Sequence, residues 1–182
     1  MVMNAGPPNL PLSRGNWKLS RYLAERSPAP MPPVARAGDD ALHVAKLAVG
    51  ARLPRAVYVV DEDDRYLGTI LDRSLALQIF EHLNPNLYFY DHPHAMTGLF
   101  QLSEGASKLT ARSLMRAGRR PMLEQETVAD AMQVLHRSES DEQPVVNERG
   151  QLVGVIRALD ILREWVEDTL LMQLGDETES FY

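Results

Sequence analysis

The chain has 182 residues, of which 45% are hydrophobic, 24% are charged and none is cysteine. This length allows one domain or two small ones, and the hydrophobic share is ordinary for a protein with a buried core. The formal net charge of −6 argues against general nucleic-acid binding, which needs basic surface to displace counterions from phosphate. The lack of cysteine excludes disulfides, thiolate catalysis and zinc sites with cysteine ligands.

Residues 1–32 are predicted to be a flexible N-terminal extension with one short helix. Asn16 is the candidate cap of this helix, which runs from Trp17 to Glu25. The proline-rich stretch 27–33 is predicted to be a stiff linker, because proline interrupts both helices and sheets. The start of the chain lacks the apolar centre of a signal peptide, and no stretch has the apolar length that crosses a bilayer. We therefore predict a cytoplasmic protein.

A first folded unit is predicted over residues 33–83. Its elements, in order, are a strand at 34–37, a helix at 40–50, strands at 56–60 and 66–70, and a helix at 73–83. Asp39 and Asp40 are good candidates for helix caps. The acidic run 61–64 falls at the turn between two strands and lacks the glycine and distal glutamate of a calcium loop, so we interpret it as a solvated turn.

Residues 84–109 form a predicted insert between the two units. The insert contains an aromatic cluster at 88–90, followed by His92 and His94. Alternating histidines sometimes share a metal ion, but Pro93 between them and the lack of a third obvious ligand favour a surface loop.

A second folded unit is predicted over residues 110–170, followed by an acidic tail at 171–182. Its elements are a helix around 111–116, a strand at 121–124, a helix at 127–137, strands at 144–146 and 152–156, and a helix that opens at Asp160. Thr127 and Asp130 are predicted to form a capping box. Gly150 is expected to take a positive φ in the turn between the two strands.

The strongest signal in the sequence is an internal repeat. Residues 58–70 match residues 144–156 without a gap, so that Gly68 pairs with Gly154 at an offset of 86 residues. Extended upstream without a gap, the same offset places residues 42–45 on 128–131. A self-match of this kind indicates two copies of one βαββα-like unit.

The ordered motifs of the second copy resemble the CBS domain, the family named after cystathionine β-synthase. The motifs that carry the resemblance are Ser113-Leu114-Met115, Thr127-Val128-Ala129-Asp130-Ala131, Pro144-Val145-Val146, Leu152-Val153-Gly154-Val155-Ile156 and Asp160-Ile161-Leu162. The resemblance covers most of the chain. It implies an α+β fold with two βαββα units that pair through their sheets, as in a tandem CBS or Bateman module.

The resemblance also implies a site for an adenosyl ligand. CBS modules typically hold ribose hydroxyls with an aspartate at the start of the last helix, and Asp160 matches that position. Arg157 stands where the family has a serine or threonine that meets phosphate, and it could pair with phosphate or occlude the site. The residues that match the adenine walls are Gln143, Pro144 and Val145 on one side and Met122 and Leu123 on the other.

The first copy lacks the corresponding polar residues, since Ser74 and Leu71 stand at the positions of Asp160 and Arg157. We expect the first site to be empty or to bind something different. An alternative for the second site is that Asp160 only caps the last helix. Arg116, Arg119 and Arg120 flank the second unit and are interpreted as a solvated basic face rather than a polyphosphate contact.

The function that these features favour is a regulatory module that binds an adenine nucleotide or related adenosyl ligand and signals to an unknown protein effector. AMP, ADP, ATP or S-adenosylmethionine is the expected ligand, with no resident cofactor, and no motif indicates an enzyme. The alternatives are a ligand-free dimerisation or scaffold module, and the cytoplasmic regulatory domain of a transporter or channel.

A homodimer is predicted from the last helix, which has two apolar faces. One face contains Leu159, Leu162, Val166 and Leu170, and the other contains Ile161 and Trp165. Such a helix is expected to pack on its own unit and also on a second chain.

Overall fold

The structure is a computed structural model, and it describes residues 14–26, 32–50, 56–82, 108–117, 120–138 and 140–179. The helices are α1 (Leu19–Glu25), α2 (Ala41–Gly50), α3 (Asp72–His82), α4 (Ala111–Leu114), α5 (Val128–Ser138) and α6 (Ala158–Glu179). The strands are β1 (Val34–Arg36), β2 (Ala56–Val60), β3 (Tyr66–Leu71), β4 (Arg116–Ala117), β5 (Met122–Leu123), β6 (Glu142–Val146) and β7 (Leu152–Arg157). The predicted α+β fold class is confirmed.

The first sheet contains four strands in the order β1-β2-β3-β4. β1 is parallel to β2, which requires a crossover, and α2 lies in that connection. β2 and β3 are antiparallel, and β4 adds to β3 in antiparallel register. All five residues of β2 are buried, which explains its unbroken apolar sequence.

The core against this sheet is built from small and branched apolar side chains. Its fully buried members include Val44 on α2, Val57 and Val59 on β2, Ile70 on β3 and Leu114 on α4. Leu75 on α3 is also buried, and Ile79, one turn further along the helix, packs partly against the same cluster.

The second sheet contains three strands in the order β5-β6-β7. α5 connects β5 to β6, and α6 follows β7 directly. The buried residues of α5 are Val128, Ala131 and Leu135, which lie three or four positions apart and so share one face of the helix.

Side-chain caps set the starts of two matching helices. The His43 N–H donates to Asp40 Oδ1 at 2.7 Å, so Asp40 caps α2 as predicted. The predicted capping box of α5 is also present. Asp130 Oδ2 accepts the Thr127 N–H at 2.9 Å, and the Asp130 N–H donates to Thr127 Oγ1 at 3.2 Å. The side-chain hydrogen bond from Thr127, with its backbone hydrogen bond, lowers the pKa of Asp130.

The hairpin turns of the two copies are built identically. Gly150 has φ 77°, as predicted, and Asp64, 86 residues earlier, has φ 62°. Asp61 Oδ1 accepts the Asp63 and Arg65 N–H groups, and Asn147 Oδ1 accepts the N–H groups two and four residues further on. The repeat offset of 86 therefore holds at the turn.

The offset is one residue larger at the helices that precede these hairpins. α2 begins at Ala41 and buries Ala41 and Val44, whereas α5 begins at Val128 and buries Val128 and Ala131. This corresponds to an offset of 87. The gapless extension of the repeat through the helices was wrong by one residue, because the first copy has one more residue from the start of the helix to the start of the next strand.

Each copy is completed by a second segment of chain that binds it in the same way. In the first copy, the Ala41 N–H donates to Leu109 O, and the Ala111 N–H donates to Asp39 O. In the second copy, the matching bonds run from Val128 N–H to Trp17 O and from Leu19 N–H to Glu126 O. Residues 17–22 thus repeat the role of residues 109–114 at an offset of 92.

Several boundaries differ from the prediction by one or two residues, and three of the differences change how an element is interpreted. Helix α1 starts at Leu19 without a side-chain cap, so Asn16 does not cap it, because Lys18 remains extended in a bridge with Thr127. The helix at 111 ends at Leu114, and Arg116 belongs to β4 instead. The last helix starts at Ala158, two residues before the predicted start.

By compactness, the described chain falls into two units. One unit contains the described residues of 14–26, 122–145 and 155–179. The other contains the described residues of 32–121 together with 146–154. Within the second of these, the two hairpin turns exchange backbone bonds, from Tyr66 N–H to Gly150 O and from Leu152 N–H to Asp64 O. The domain limits predicted from the repeat stay a prediction.

Most of the predicted insert, including the aromatic cluster, His92 and His94, lies outside the described residues, as does Arg119. Among the residues that are described, histidine and carboxylate side chains form no cluster suited to a metal ion. The helices of the same residues include none with the length and apolar character of a membrane span.

Candidate functional site

Asp160 lies in the first turn of α6, immediately after the end of β7. The backbone passes from strand to helix without a loop, and the Ala158 N–H donates to Asp141 O at 2.9 Å. Asp160 is therefore inside the helix rather than at its cap position, so the alternative that it only caps the helix was wrong. The residue is 9% exposed, and a carboxylate this deeply buried requires a counter-charge.

Arg26 supplies that counter-charge. Its Nη1 atom lies 2.9 Å from Asp160 Oδ2, and the two side chains are 18% and 10% exposed. Arg26 is the residue that follows α1. Its Nε atom also lies 3.8 Å from Glu164 Oε1, one turn further along α6.

Arg157, the last residue of β7, is the second cation near Asp160. Its Nε donates to Glu142 Oε2 at 3.2 Å, and its Nη1 atom lies 3.9 Å from Asp160 Oδ2. Arg157 is 31% exposed, more than any other member of the cluster just described. The structure therefore brings the predicted pair Asp160 and Arg157 together, with Arg157 held on its other side by Glu142.

Tyr22 forms the apolar side of this charged cluster. The Arg26 guanidinium carbon lies 5.5 Å from the centre of the Tyr22 ring, within the range of a cation–π contact. Burial raises the pKa of the Tyr22 hydroxyl well above its usual value; the Arg26 charge opposes this rise, and Glu164 adds to it. Tyr22 thus stays neutral and provides a low-dielectric wall beside the Arg26–Asp160 pair.

The residues predicted to wall an adenine are mostly buried. Met122 and Gln143 are each 2% exposed, and Pro144 and Val145 are also buried. The Gln143 Nε2 group donates to Ser138 Oγ at 3.3 Å. Leu123 is exposed. These residues lie on the neighbouring strands β5 and β6. Four of the five are packed in the interior, and Leu123 is the exception.

The first copy has no equivalent charges. Ser74 and Leu71 are half-buried and exposed, respectively, at the positions that match Asp160 and Arg157. At these two matched positions, the first copy therefore has no charged side chain.

Sequence reasoning missed Arg26, Glu142 and Glu164. It treated the segment before residue 33 as flexible, so a contact between Arg26 and Asp160 was not considered. A weak signal was present, because apolar residues fall at the same spacing in the two completing segments. They are Trp17, Leu19, Tyr22 and Leu23 in one, and Leu109, Ala111, Leu114 and Met115 in the other.

The family model for the CBS domain matches residues 122–167, the stretch that contains β5 to the first turns of α6. Residues 122–167 form a CBS domain. The CBS domain thus includes Asp160, Arg157 and all five predicted wall residues, whereas Arg26 comes from outside it. No curated protein matches the chain in sequence.

Solved structures extend the comparison to the whole CBS-domain pair. The CBS domain of a CBS domain-containing membrane protein from Sphaerobacter thermophilus is 20% identical, with a TM-score of 0.60, over 83% of this chain and 89% of that one. CBSX2 in complex with AMP is 15% identical, with a TM-score of 0.56, over 84% of this chain and 98% of that one. The chain has the fold of a CBS-domain pair.

A third structure shows the same fold with different adenosyl compounds. The CBS domain pair of protein MJ0100, in complex with 5′-methylthioadenosine and S-adenosylmethionine, is 18% identical, with a TM-score of 0.52. The match covers 74% of this chain and 92% of that one.

Proposed function

We propose that this chain is a regulatory module that binds an adenine nucleotide or related adenosyl ligand through its CBS domain at 122–167. The observation that carries the proposal is the Asp160 carboxylate, which is buried at the junction of β7 and α6 with two guanidinium groups within 4 Å. Few side chains accept two hydroxyl hydrogen bonds at once, and a carboxylate does so readily. The ribose of an adenosyl compound is the group that this carboxylate fits.

The surrounding charges suit a ligand that carries phosphate or another anionic group. Arg157 is about one-third exposed and lies next to Asp160, where its planar guanidinium is able to bind two phosphate oxygens. The substitution of arginine for the hydroxyl residue typical of the family therefore changes the kind of phosphate contact without removing it. Leu123, which is exposed, is the wall residue available to a base without rearrangement.

The solved structures support the ligand class, because CBS-domain pairs of the same fold were obtained with AMP and with S-adenosylmethionine. We propose AMP, ADP, ATP or S-adenosylmethionine as the ligand of this chain. The proposal includes a regulatory rather than catalytic role, a cytoplasmic location, a homodimer and an unidentified protein effector.

Thermal unfolding with each of these four ligands tests the proposal. A ligand at about 100 times its Kd adds about 2.7 kcal/mol to the stability of the folded state. For a chain of this size, that raises Tm by about 5–10 °C. The rise should disappear in Asp160→Ala and persist in Ser74→Ala, which makes the matched change in the first copy. Equal loss of the shift in both variants, or no shift with any ligand, would contradict the proposal.

A ligand-free dimerisation or scaffold module is the second candidate. Two observations favour it: Arg26 already neutralises Asp160, and the exposed face of α6 is apolar. Its large hydrophobic residues are Leu159, Leu162 and Val166, which are 60%, 50% and 42% exposed. A dimer in light scattering together with no Tm shift for any ligand would favour this candidate.

A further inference from the structure

The carboxylate that the proposed function assigns to ribose already has a partner in the same chain. Arg26 Nη1 lies 2.9 Å from Asp160 Oδ2, with both side chains largely buried. The contact is an ion pair rather than an aligned hydrogen bond, because Asp160 Oδ2 accepts no hydrogen bond from the described residues. The guanidinium nevertheless occupies the space beside the carboxylate to which ribose hydroxyls would donate. A ribose that binds Asp160 must therefore displace Arg26.

Arg26 has a second carboxylate within reach. Its Nε atom is 3.8 Å from Glu164 Oε1, and the other oxygen of Glu164 lies 3.3 Å from Arg14 Nη1. A shift of about 1 Å toward Glu164 would bring Arg26 to an ordinary ion-pair distance. Arg26 can thus leave Asp160 without becoming an unpaired buried cation, the state that would make its release costly.

We propose that Arg26 is a built-in competitor of the ligand, and that ligand binding transfers its guanidinium from Asp160 to Glu164. This inference rests on the proposed function, since it concerns the regulation of the same site. A ligand shifts such an equilibrium only through its different affinities for the two arrangements, and access to Asp160 is that difference. Without ligand, Asp160 is held by Arg26; with ligand, Asp160 is held by ribose.

The transfer also gives the ligand a path to the rest of the chain. Arg26 directly follows α1, and its N–H donates to Tyr22 O at 3.3 Å, while its guanidinium lies over the Tyr22 ring. At the other end of α1, the Leu19 N–H donates to Glu126 O. Movement of Arg26 therefore acts on the last turn of α1. The first turn of the same helix is hydrogen-bonded to the CBS domain.

The internal repeat bears on the role of Asp160. In the first copy, Ser74 stands at the position of Asp160. The first copy forms the corresponding helix, hairpin and strand-to-helix junction without that carboxylate. The pair is consequently not a requirement of the junction itself.

The deciding experiment measures the Kd for AMP by calorimetry in the full chain and three variants. Arg26→Gln should bind AMP about tenfold more tightly, because Asp160 is freed from its competitor. Glu164→Gln should bind AMP more weakly, because Arg26 loses its second partner. Arg21→Gln is the matched control on α1, the helix that Arg26 follows. Arg21 pairs with Glu25 at the surface, and the Kd of this variant should equal that of the parent chain.

The outcomes separate this inference from the proposed function. If the parent chain binds AMP and Asp160→Ala does not, but Arg26→Gln binds as Arg21→Gln does or more weakly, the competitor role is overturned while the proposed function stands. If neither the parent chain nor Arg26→Gln binds AMP, both are overturned for this nucleotide. Binding by Arg26→Gln alone supports the inference.

Hydrogen exchange of the parent chain provides a second test that needs no variant of Arg26. AMP should speed the exchange of the Arg26 amide, which bonds to Tyr22 O at the end of α1, and leave the buried strand β2 unchanged. Equal or slower exchange of the Arg26 amide in a chain shown to bind AMP would overturn the transfer.

Discussion

The two copies of the repeat have similar folds but different buried side chains. The first copy is formed by the described residues of 32–82 and 108–117, and the second by those of 120–167 and 14–26. Both have matching hairpin turns and a completing segment that is hydrogen-bonded at the same places. Among the described residues, the second copy has a buried ion pair at the strand-to-helix junction, where the first has Ser74. Because the first copy forms the same junction with a serine, the junction itself does not require an ion pair.

The largest effect is expected where the completing segments pack. Leu19 in the second copy and Ala111 in the first are matched positions, and both are fully buried. Leu19→Ala gives the second copy the residue of the first, and the lost side chain should leave a cavity that costs about 2–5 kcal/mol in urea unfolding. Ser20→Ala, on the exposed side of the same helix, is the control.

A loss below about 0.5 kcal/mol for Leu19→Ala would place it among ordinary surface substitutions. That result would contradict the equivalence of the two completing segments, because residues 14–26 would then lie against the second copy without contributing to its stability.

The next effect concerns the edge of the first sheet. A Cβ atom on Gly68 would lie 2.5 Å from Arg116 O and 3.0 Å from Met115 Sδ. Gly68→Ala should therefore push β4 away from β3 and destabilise the chain by about 1–3 kcal/mol. Gly38→Ala is the control, because a Cβ there meets no atom within 4 Å. Equal urea midpoints for the two variants would show that β4 is not needed beside Gly68.

The smallest effect is expected at the hairpin turns. Gly150 and Asp64 occupy the same position with φ 77° and 62°. Gly150→Ala places an ordinary side chain in the left-handed region and should cost about 1–2 kcal/mol in urea unfolding. Gly150→Asp copies the residue of the first turn and should cost less, because a short polar side chain tolerates this conformation. A larger loss for aspartate than for alanine would contradict the equivalence of the two turns.

Local patterns predicted much of this fold from the sequence. The strand at 56–60 was predicted with its observed ends, and the capping box at Thr127 and the positive φ of Gly150 were confirmed. These features depend on residues that are close together in the chain. The start of α1 was wrong, because Lys18 is held extended by Thr127, more than a hundred residues away and invisible to any local pattern.

The candidate site was predictable only in part for the same reason. The family resemblance drew attention to Asp160 and Arg157, and these two residues are adjacent in the structure. The partner of Asp160 is Arg26, which lies at the opposite end of the sequence in a segment without a strong periodic pattern. Burial of four of the five wall residues also depends on tertiary packing, which alternation along a strand does not specify.

The completing segments also set the order in which the chain can fold during its synthesis. Asp39 and Ala111 are 72 residues apart, whereas Leu19 and Glu126 are 107 residues apart. At a synthesis rate of about 5–20 residues per second, residues 14–26 wait about 5–20 s for their partners to leave the ribosome. The first copy is complete before that interval ends. The apolar side chains of Leu19 and Tyr22 must therefore avoid stable non-native contacts until the CBS domain against which they pack has been synthesised.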